Sequence, residues 1–449
     1  MDSALDRVDA AAGDGACRTD EGRCTLRAAI QEANASSGYD TVLVPFGTYF
    51  LDTIDHSGED EAARGDLDIT ESLDLRGIPG DTPDMNRAIL TNDFTFDSRH
   101  DRLLDIHAGS SLQPVQIDHI EFSFGHTAEP LGGGAVLVRA GAHAEFLNCV
   151  FYANFTTGAP GVALANYGTT ALRRCAATDN KFNLGSAPVL GTFYSGQRGR
   201  LEMDEVEVNT SIVQAGGAVA ANGMAHLRVA RSHFIGNAAS GGVPVTQRGS
   251  GGAVWLAGSA QAEIINTVTV ANSGSSALTS GNSIAVYDQA ELALRHVSLF
   301  DFSIEAPVAE PAQVSLEASV IYDTAQGTVE HDLSRIAACS GSVSSRGNNR
   351  IAASRTCSMS TGSGDLRPPT LRANGVAYPA AHPTFSLQRI LVPDDPSDIL
   401  DLSAGTSCPM TDQLRAARPA ARVPGAPRRC DAGAIELPLD HLFVDGMEP

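Results

Sequence analysis

Gly133-Gly134-Ala135-Val136 recurs as Gly216-Gly217-Ala218-Val219 and again as Gly251-Gly252-Ala253-Val254. Each copy leads into a short alternating strand, a small turn and a second strand that ends on asparagine. Those asparagines, Asn154, Asn180, Asn209, Asn237 and Asn272, are spaced by 26, 29, 28 and 35 residues. Three places before the first four stand Phe151, Ala177, Val206 and Phe234, all apolar; before Asn272 stands Thr269, where the pattern slips. A period near 28 suits one coil of a parallel β-helix, in which each strand pairs with its counterpart one coil away at about 4.8 Å. Equivalent residues then form columns. Asparagine suits a column at a bend, because it tolerates left-handed backbone angles and its amide can bond the copies above and below. A propeller needs four strands per roughly 40–45 residues, and a leucine-rich solenoid a Leu/Asn signature every 20–29 or so. A sandwich has no fixed long period. The expected fold is therefore all-β: a parallel β-helix of about ten coils, a rod of roughly 50 Å.

A solenoid exposes unpaired strand edges at both ends, and these need covers. Thr25-Leu-Arg-Ala-Ala-Ile-Gln-Glu-Ala-Asn34 supplies one: Thr25 can cap a helix, and Leu26, Ala29, Ile30 and Ala33 make one apolar face. Residues 1–40 read as this cap, 41–333 as the β-helix, 334–437 as final coils with a second cap, and 438–449 as an exposed tail.

The eight cysteines fall into neighbouring pairs: Cys17 and Cys24, Cys149 and Cys175, Cys339 and Cys357, Cys408 and Cys430. An even count with short loops points to disulfides and an oxidising compartment, with mixed thiols and metal as the alternatives. Cys149 and Cys175 each precede a ladder asparagine by five residues, which stacks them: bonded, the favoured reading, or packed as small core residues. The start Met1-Asp2-Ser3-Ala4 lacks a charged-then-apolar leader, so export requires one not present in this sequence. A net charge of −22, from 31 Lys+Arg against 53 Asp+Glu, argues against nucleic-acid partners and anionic membrane surfaces. No apolar stretch approaches the roughly 18 residues of a membrane span.

Cys24-Thr-Leu-Arg-Ala-Ala-Ile-Gln-Glu-Ala-Asn34 resembles the N-terminal C-S-L-R-E-A-I signature of a large group of bacterial secreted parallel β-helix proteins. Gly65-Asp-Leu-Asp-Ile-Thr70, Asp101-Arg-Leu-Leu-Asp105, Gly347-Asn-Asn349, Gly364-Asp-Leu366, Cys408-Pro-Met-Thr-Asp-Gln413 and Cys430-Asp-Ala-Gly-Ala-Ile-Glu436 are similar to further landmarks of that group, in order. The chain departs from the pattern at Thr25 and Ala28, and Asp412-Gln413-Leu414-Arg415 stands where the group has Asp-Gln-Arg-Gly. The ending Phe443-Val-Asp-Gly-Met-Glu448 is similar to a short tail on many exported proteins of gamma-proteobacteria. The resemblance implies export, a right-handed β-helix and an extracellular or cell-surface setting, and no single activity.

Candidate chemistry is sparse. There is no G-x-S-x-G elbow and no phosphate loop, and the aspartates and G-x-G-H and R-I-K segments of polygalacturonases are absent. Within Glu59–Asp68, Glu59, Asp60, Asp66 and Asp68 offer hard oxygen ligands for Ca²⁺, or form a solvated acidic loop. Leu201–Val208 alternates charge outward, setting Glu202, Glu205 and Glu207 beside Arg174, Arg231 and His233 of adjacent coils. With Lys181, the only lysine, these make a candidate binding strip or, more simply, a charged sheet face. A lyase would need a base and a cation to neutralise a uronate there, roles open to Lys181, Arg174 and Arg231. Phe146, Phe151, Phe155 and Phe234 read as core, and Trp255 as a sugar platform or a buried residue. The first functional reading is an adhesin-like surface for a polysaccharide or cell-surface protein, without catalysis. The second is a polysaccharide lyase or hydrolase with its groove along one sheet, which the long insertion Ala239–Ser250 could wall. A passenger fragment of a larger surface protein is the third.

Overall fold

The computed structural model describes residues 1–52, 59–80, 87–92, 101–183, 187–240, 251–270, 272–274, 283–300, 304–306 and 310–322. Beyond these it describes 339–352, 357–360, 362–366, 373–379, 387–393, 399, 403–404, 408–418 and 429–435. The chain is a parallel β-helix. One coil carries four short strands, for example Val136–Val138, His143–Leu147, Val150–Tyr152 and Phe155–Thr157, here called sheets I to IV. Among the described residues sheet III stacks eleven strands and sheet IV six. Sheets I and II merge where the long strand Cys339–Gly347 pairs with both. Eleven strands at about 4.8 Å make a rod of roughly 48 Å.

The repeated Gly-Gly-Ala-Val motifs occupy one column. Val136, Leu164, Phe193, Val219 and Val254 are successive register partners in sheet I. The first glycine of each motif has a left-handed φ: 76° at Gly133, 72° at Gly216 and 54° at Gly251. The second packs on the next coil, and a Cβ on Gly217 would stand 1.8 Å from the Gly252 carbonyl oxygen. Both positions therefore exclude side chains, for different reasons.

In six successive sheet I strands the central residue points outward, yet it is buried. Leu137, Ala165, Tyr194, Ala220, Trp255 and Ala285 form this outer column and a second apolar layer. Trp255, 6% exposed, belongs there and not on a sugar-facing surface. The inner core stacks aromatics: Phe122 lies on Phe151 at 5.3 Å, and Phe193 meets Phe151 edge-on at 5.4 Å. Phe146, Phe151 and Phe234 are core; Phe155 is only half-buried, on sheet IV.

The asparagine column is real, with one correction. Asn154 and Asn180 are linked, Asn154 donating through its backbone N and Nδ2 to Asn180 Oδ1, each at 3.0 Å. Asn237 is linked to Asn272 in the same manner. Between them stands Ser211, whose backbone N donates to Asn237 Oδ1. Asn209 instead lies on the sheet III strand, paired with Thr178 and Ile235. The coil after Asn180 is longer, so even spacing picked an asparagine two residues early.

Three disulfides form: Cys17–Cys24, Cys339–Cys357 and Cys408–Cys430. Cys149 and Cys175 are buried free thiols, which corrects the expected fourth bond. They share a column, but side chains in one column of parallel strands point the same way and not at each other. Each Sγ instead donates to carbonyls, Cys149 to Ile117 O at 3.5 Å and Cys175 to Phe146 O at 3.5 Å.

The helix α1, Leu26–Ala35, lies on the first strands, with Thr25 Oγ1 accepting from Ala28 N. Its Arg27 is fully buried and uses all five N–H donors: two to Asp6, and one each to Ala62 O, Gly65 O and Asp66 O. The C-terminal residues 408–418 and 429–435 fold back along the rod. Ala432, Ala434 and Ile435 cover Val268, Phe300 and Val320 on the outer side of sheet III. Most of the suggested wall Ala239–Ser250 and the tail 438–449 lie outside the described residues.

Candidate functional site

Sheets II and III meet at a corner where one residue per coil takes a left-handed φ: His119, Asn148, Arg174, Glu205, Arg231, Asn266, His296, Ala318 and Asn348. Arg174, Glu205 and Arg231 therefore stand in one column of turn residues, where the sequence suggested an exposed sheet face. Arg231 pairs with Asp204 and approaches Glu205 at 3.7 Å. Glu205 is also bound by Arg415 of the returning C-terminal segment, Nη2 donating at 2.7 Å. His233 is buried beneath that segment, where Gln413 Nε2 donates to its Nε2 at 2.6 Å. Burial pushes the His233 imidazole down to about 3. Arg418 Nη1 lies 2.6 Å from His296 Nδ1, and Asn266 donates to Thr411 O. Glu205, Arg231 and His233 therefore belong to an internal seam. Lys181 is exposed on sheet IV, on another face from that corner.

The acidic residues gather more tightly, though not as the four expected. Carboxylate oxygens of Asp66, Asp68 and Asp105 lie within 4.8 Å of one another, and so do ligand atoms of Asp60, Asp68 and His107. Glu59 is turned to its own loop, accepting from Glu61 N and Arg64 N. Arg102 Nη1 donates to Asp66 and Asp105 at 3.2 and 3.1 Å. Arg139 holds Asp105 at 2.8 Å, and His107 Nε2 lies 3.2 Å from Asp68. Burial, aided by the Asp101 charge, pushes the Asp66 carboxyl well above its ordinary range. Burial also raises Asp68, against its bonds to His107 and Ala62 N. For His107, burial is outweighed by the Asp68 bond and the Asp105 charge, and the imidazole is raised. A Ca²⁺ ion here would compete with Arg102 and Arg139 for Asp66 and Asp105, while the Asp68 carboxylate, among the described residues, is held only by His107 and Ala62 N. Beside the cluster opens a cleft of about 380 Å³ lined by Asp66, Asp101, Asp105, Arg102, Arg139 and Glu129.

The feature that sequence reading missed is a trough on the outer face of sheet II, about 490 Å³ in volume. Seven successive strands contribute to it, a span of roughly 29 Å at the coil spacing. One column of its lining runs Thr169, Arg200, His226, Gln261, Glu291, Gln313. The adjacent one runs Glu202, Arg228, Glu263, Ala293, Ser315, Ser344. The signal was present: these are the polar alternates of each strand, legible once the strands are in register. Arg228 and Glu263 pair at 3.6 Å, and Arg295 bridges Glu263 and Glu317 at 3.1 and 3.2 Å.

No family model and no curated protein matches this chain. Among solved structures it is similar to rhamnogalacturonan lyase, at 10% identity over 73% of this chain and 84% of that one, with a TM-score of 0.43. It is also similar to the crystal structure of pectate lyase Pel9A, at 12% identity over 97% of both chains, with a TM-score of 0.51. At that identity what the second likeness establishes is the shared architecture, a parallel β-helix.

Proposed function

We propose that this is an exported β-helix protein that holds an extended polysaccharide along sheet II without cleaving it. The trough carries this reading. It is long, open and polar, and it repeats hydrogen-bonding side chains once per coil, a spacing that suits a chain of sugar units. Its central charges are paired with one another, which supports holding a ligand over abstracting a proton from it. Three disulfides support an oxidising, extracellular setting, and no helix among the described residues is long and apolar enough to cross a membrane.

A second reading, polysaccharide cleavage, is supported by the N-terminal cleft. There Asp66, with its raised carboxyl, could donate a proton beside Asp105, which two arginines hold. A glycan array on the intact protein, followed by absorbance and reducing-end assays on each glycan bound, separates the two. Binding without product growth supports the first reading. Product growth that Asp66→Asn abolishes replaces it with the second.

A further inference from the structure

The trough continues at one end into a hollow of about 630 Å³, with which it shares Thr169 and Arg200. The hollow lies over the turns joining sheets I and II and is lined by Tyr167, Gln197, Arg198 and Met224 besides. Tyr167 is a fixed ring: its hydroxyl donates to Leu131 O at 2.9 Å, and it meets Tyr194 edge-on at 6.0 Å. A Cβ on Gly196 would stand 2.7 Å from both rings, so the turn keeps the space they need. Arg198 and Arg200 are exposed and, among the described residues, carry no ion pair; the same holds for Arg346 at the far end of the trough.

The charge balance here runs against that of the molecule. The joined depression holds four arginines, Arg198, Arg200, Arg228 and Arg346, against Glu202, Glu263 and Glu291. The whole chain has 31 cations against 53 acids. Unspent guanidiniums on so acidic a surface mark a place for an anion. An immobile aromatic face beside them suits the apolar face of a sugar ring. Resting on the glycan-holding reading above, we infer that the ligand is a carboxylated polysaccharide, with a uronate residue set on Tyr167 and its carboxylate taken by Arg198 and Arg200.

The test is calorimetry on the intact protein with two probes that share a backbone, oligogalacturonate and its methyl ester, at low and high salt. The acid is expected to bind about tenfold more tightly than the ester at low salt, and the gap to narrow as salt screens it. Arg198→Gln with Arg200→Gln should remove most of that gap. Tyr167→Leu should weaken both probes. Equal affinity for acid and ester, or an acid preference that survives the double arginine change, overturns the inference while leaving a neutral-glycan trough in place. Binding of neither probe overturns it too, and the glycan array then decides whether the trough reading itself stands. Circular dichroism of each variant confirms that the fold is intact.

Discussion

Arg27 is the residue on which the N-terminal end turns. A fully buried guanidinium with five satisfied donors joins α1 to Asp6 and to the loop before Leu67. Arg27 supplies the donors, and Ala62, Gly65 and Asp66 supply the carbonyls. Removing one partner of such a buried pair leaves an uncompensated charge. Arg27→Ala should cost about 3–5 kcal/mol in denaturant unfolding, and Asp6→Ala nearly as much. The double change should cost far less than the sum.

Titration at this scale has two signs. Asp66, Asp68 and His107 are all raised, so the folded chain binds those protons more tightly than the unfolded one. Their contribution is present at low pH and is lost as pH rises past 3.8 for the carboxyls and past 6.5 for the imidazole. His233 is depressed, from 6.5 to about 3, so its contribution is present above 6.5 and lost as pH falls through that interval. Melting temperatures from pH 4 to 9 should show both trends. His107→Gln should flatten the decline above pH 6.5, and His233→Gln the decline below it.

At the scale of the element, columns decide what a residue is worth. Asn180 is fully buried; its oxygen takes two bonds from Asn154, and its Nδ2 donates to Phe151 O and Thr178 O. Asn209, two places off the column, is half-buried and bonds locally to Glu207. Chemical denaturation should place Asn180→Ala about 2–4 kcal/mol below the parent and Asn209→Ala within about 1 kcal/mol of it. The cysteine column makes an equally plain forecast. Ellman's reagent should find two thiols per chain in denaturant, from Cys149 and Cys175, and none in the native protein.

The same columns explain what was legible in the sequence. Glycine pairs, buried asparagines and alternating apolar residues are local demands of a coil, so the fold, α1 and three cystines could be read directly. Coil length is set by loops, which follow no period, and there the reading slipped to Asn209. Arg174, Glu205 and Arg231, expected as part of an exposed sheet strip, are instead successive left-handed turn residues. The cover on Glu205 could not be foreseen, because the contact from Glu205 to Arg415 spans 210 residues and leaves no periodic trace.

On the scale of the whole molecule, two layers are added to the rod: the outer apolar layer over sheet I and the returning segment over sheet III. Sheet II keeps its outer face open over seven strands, and the trough lies there. That division of faces leaves sheet II as the open surface on which we propose the glycan rests.

Ser211 has a mechanical meaning. The side-chain amides form one run at Asn154–Asn180 and another at Asn237–Asn272, and the serine between them interrupts the chain of links. Stretched between its termini in an optical trap, the protein should yield in steps, with a pause as the rupture reaches that gap. Ser211→Asn, by closing it, should merge the steps into one rupture without a pause.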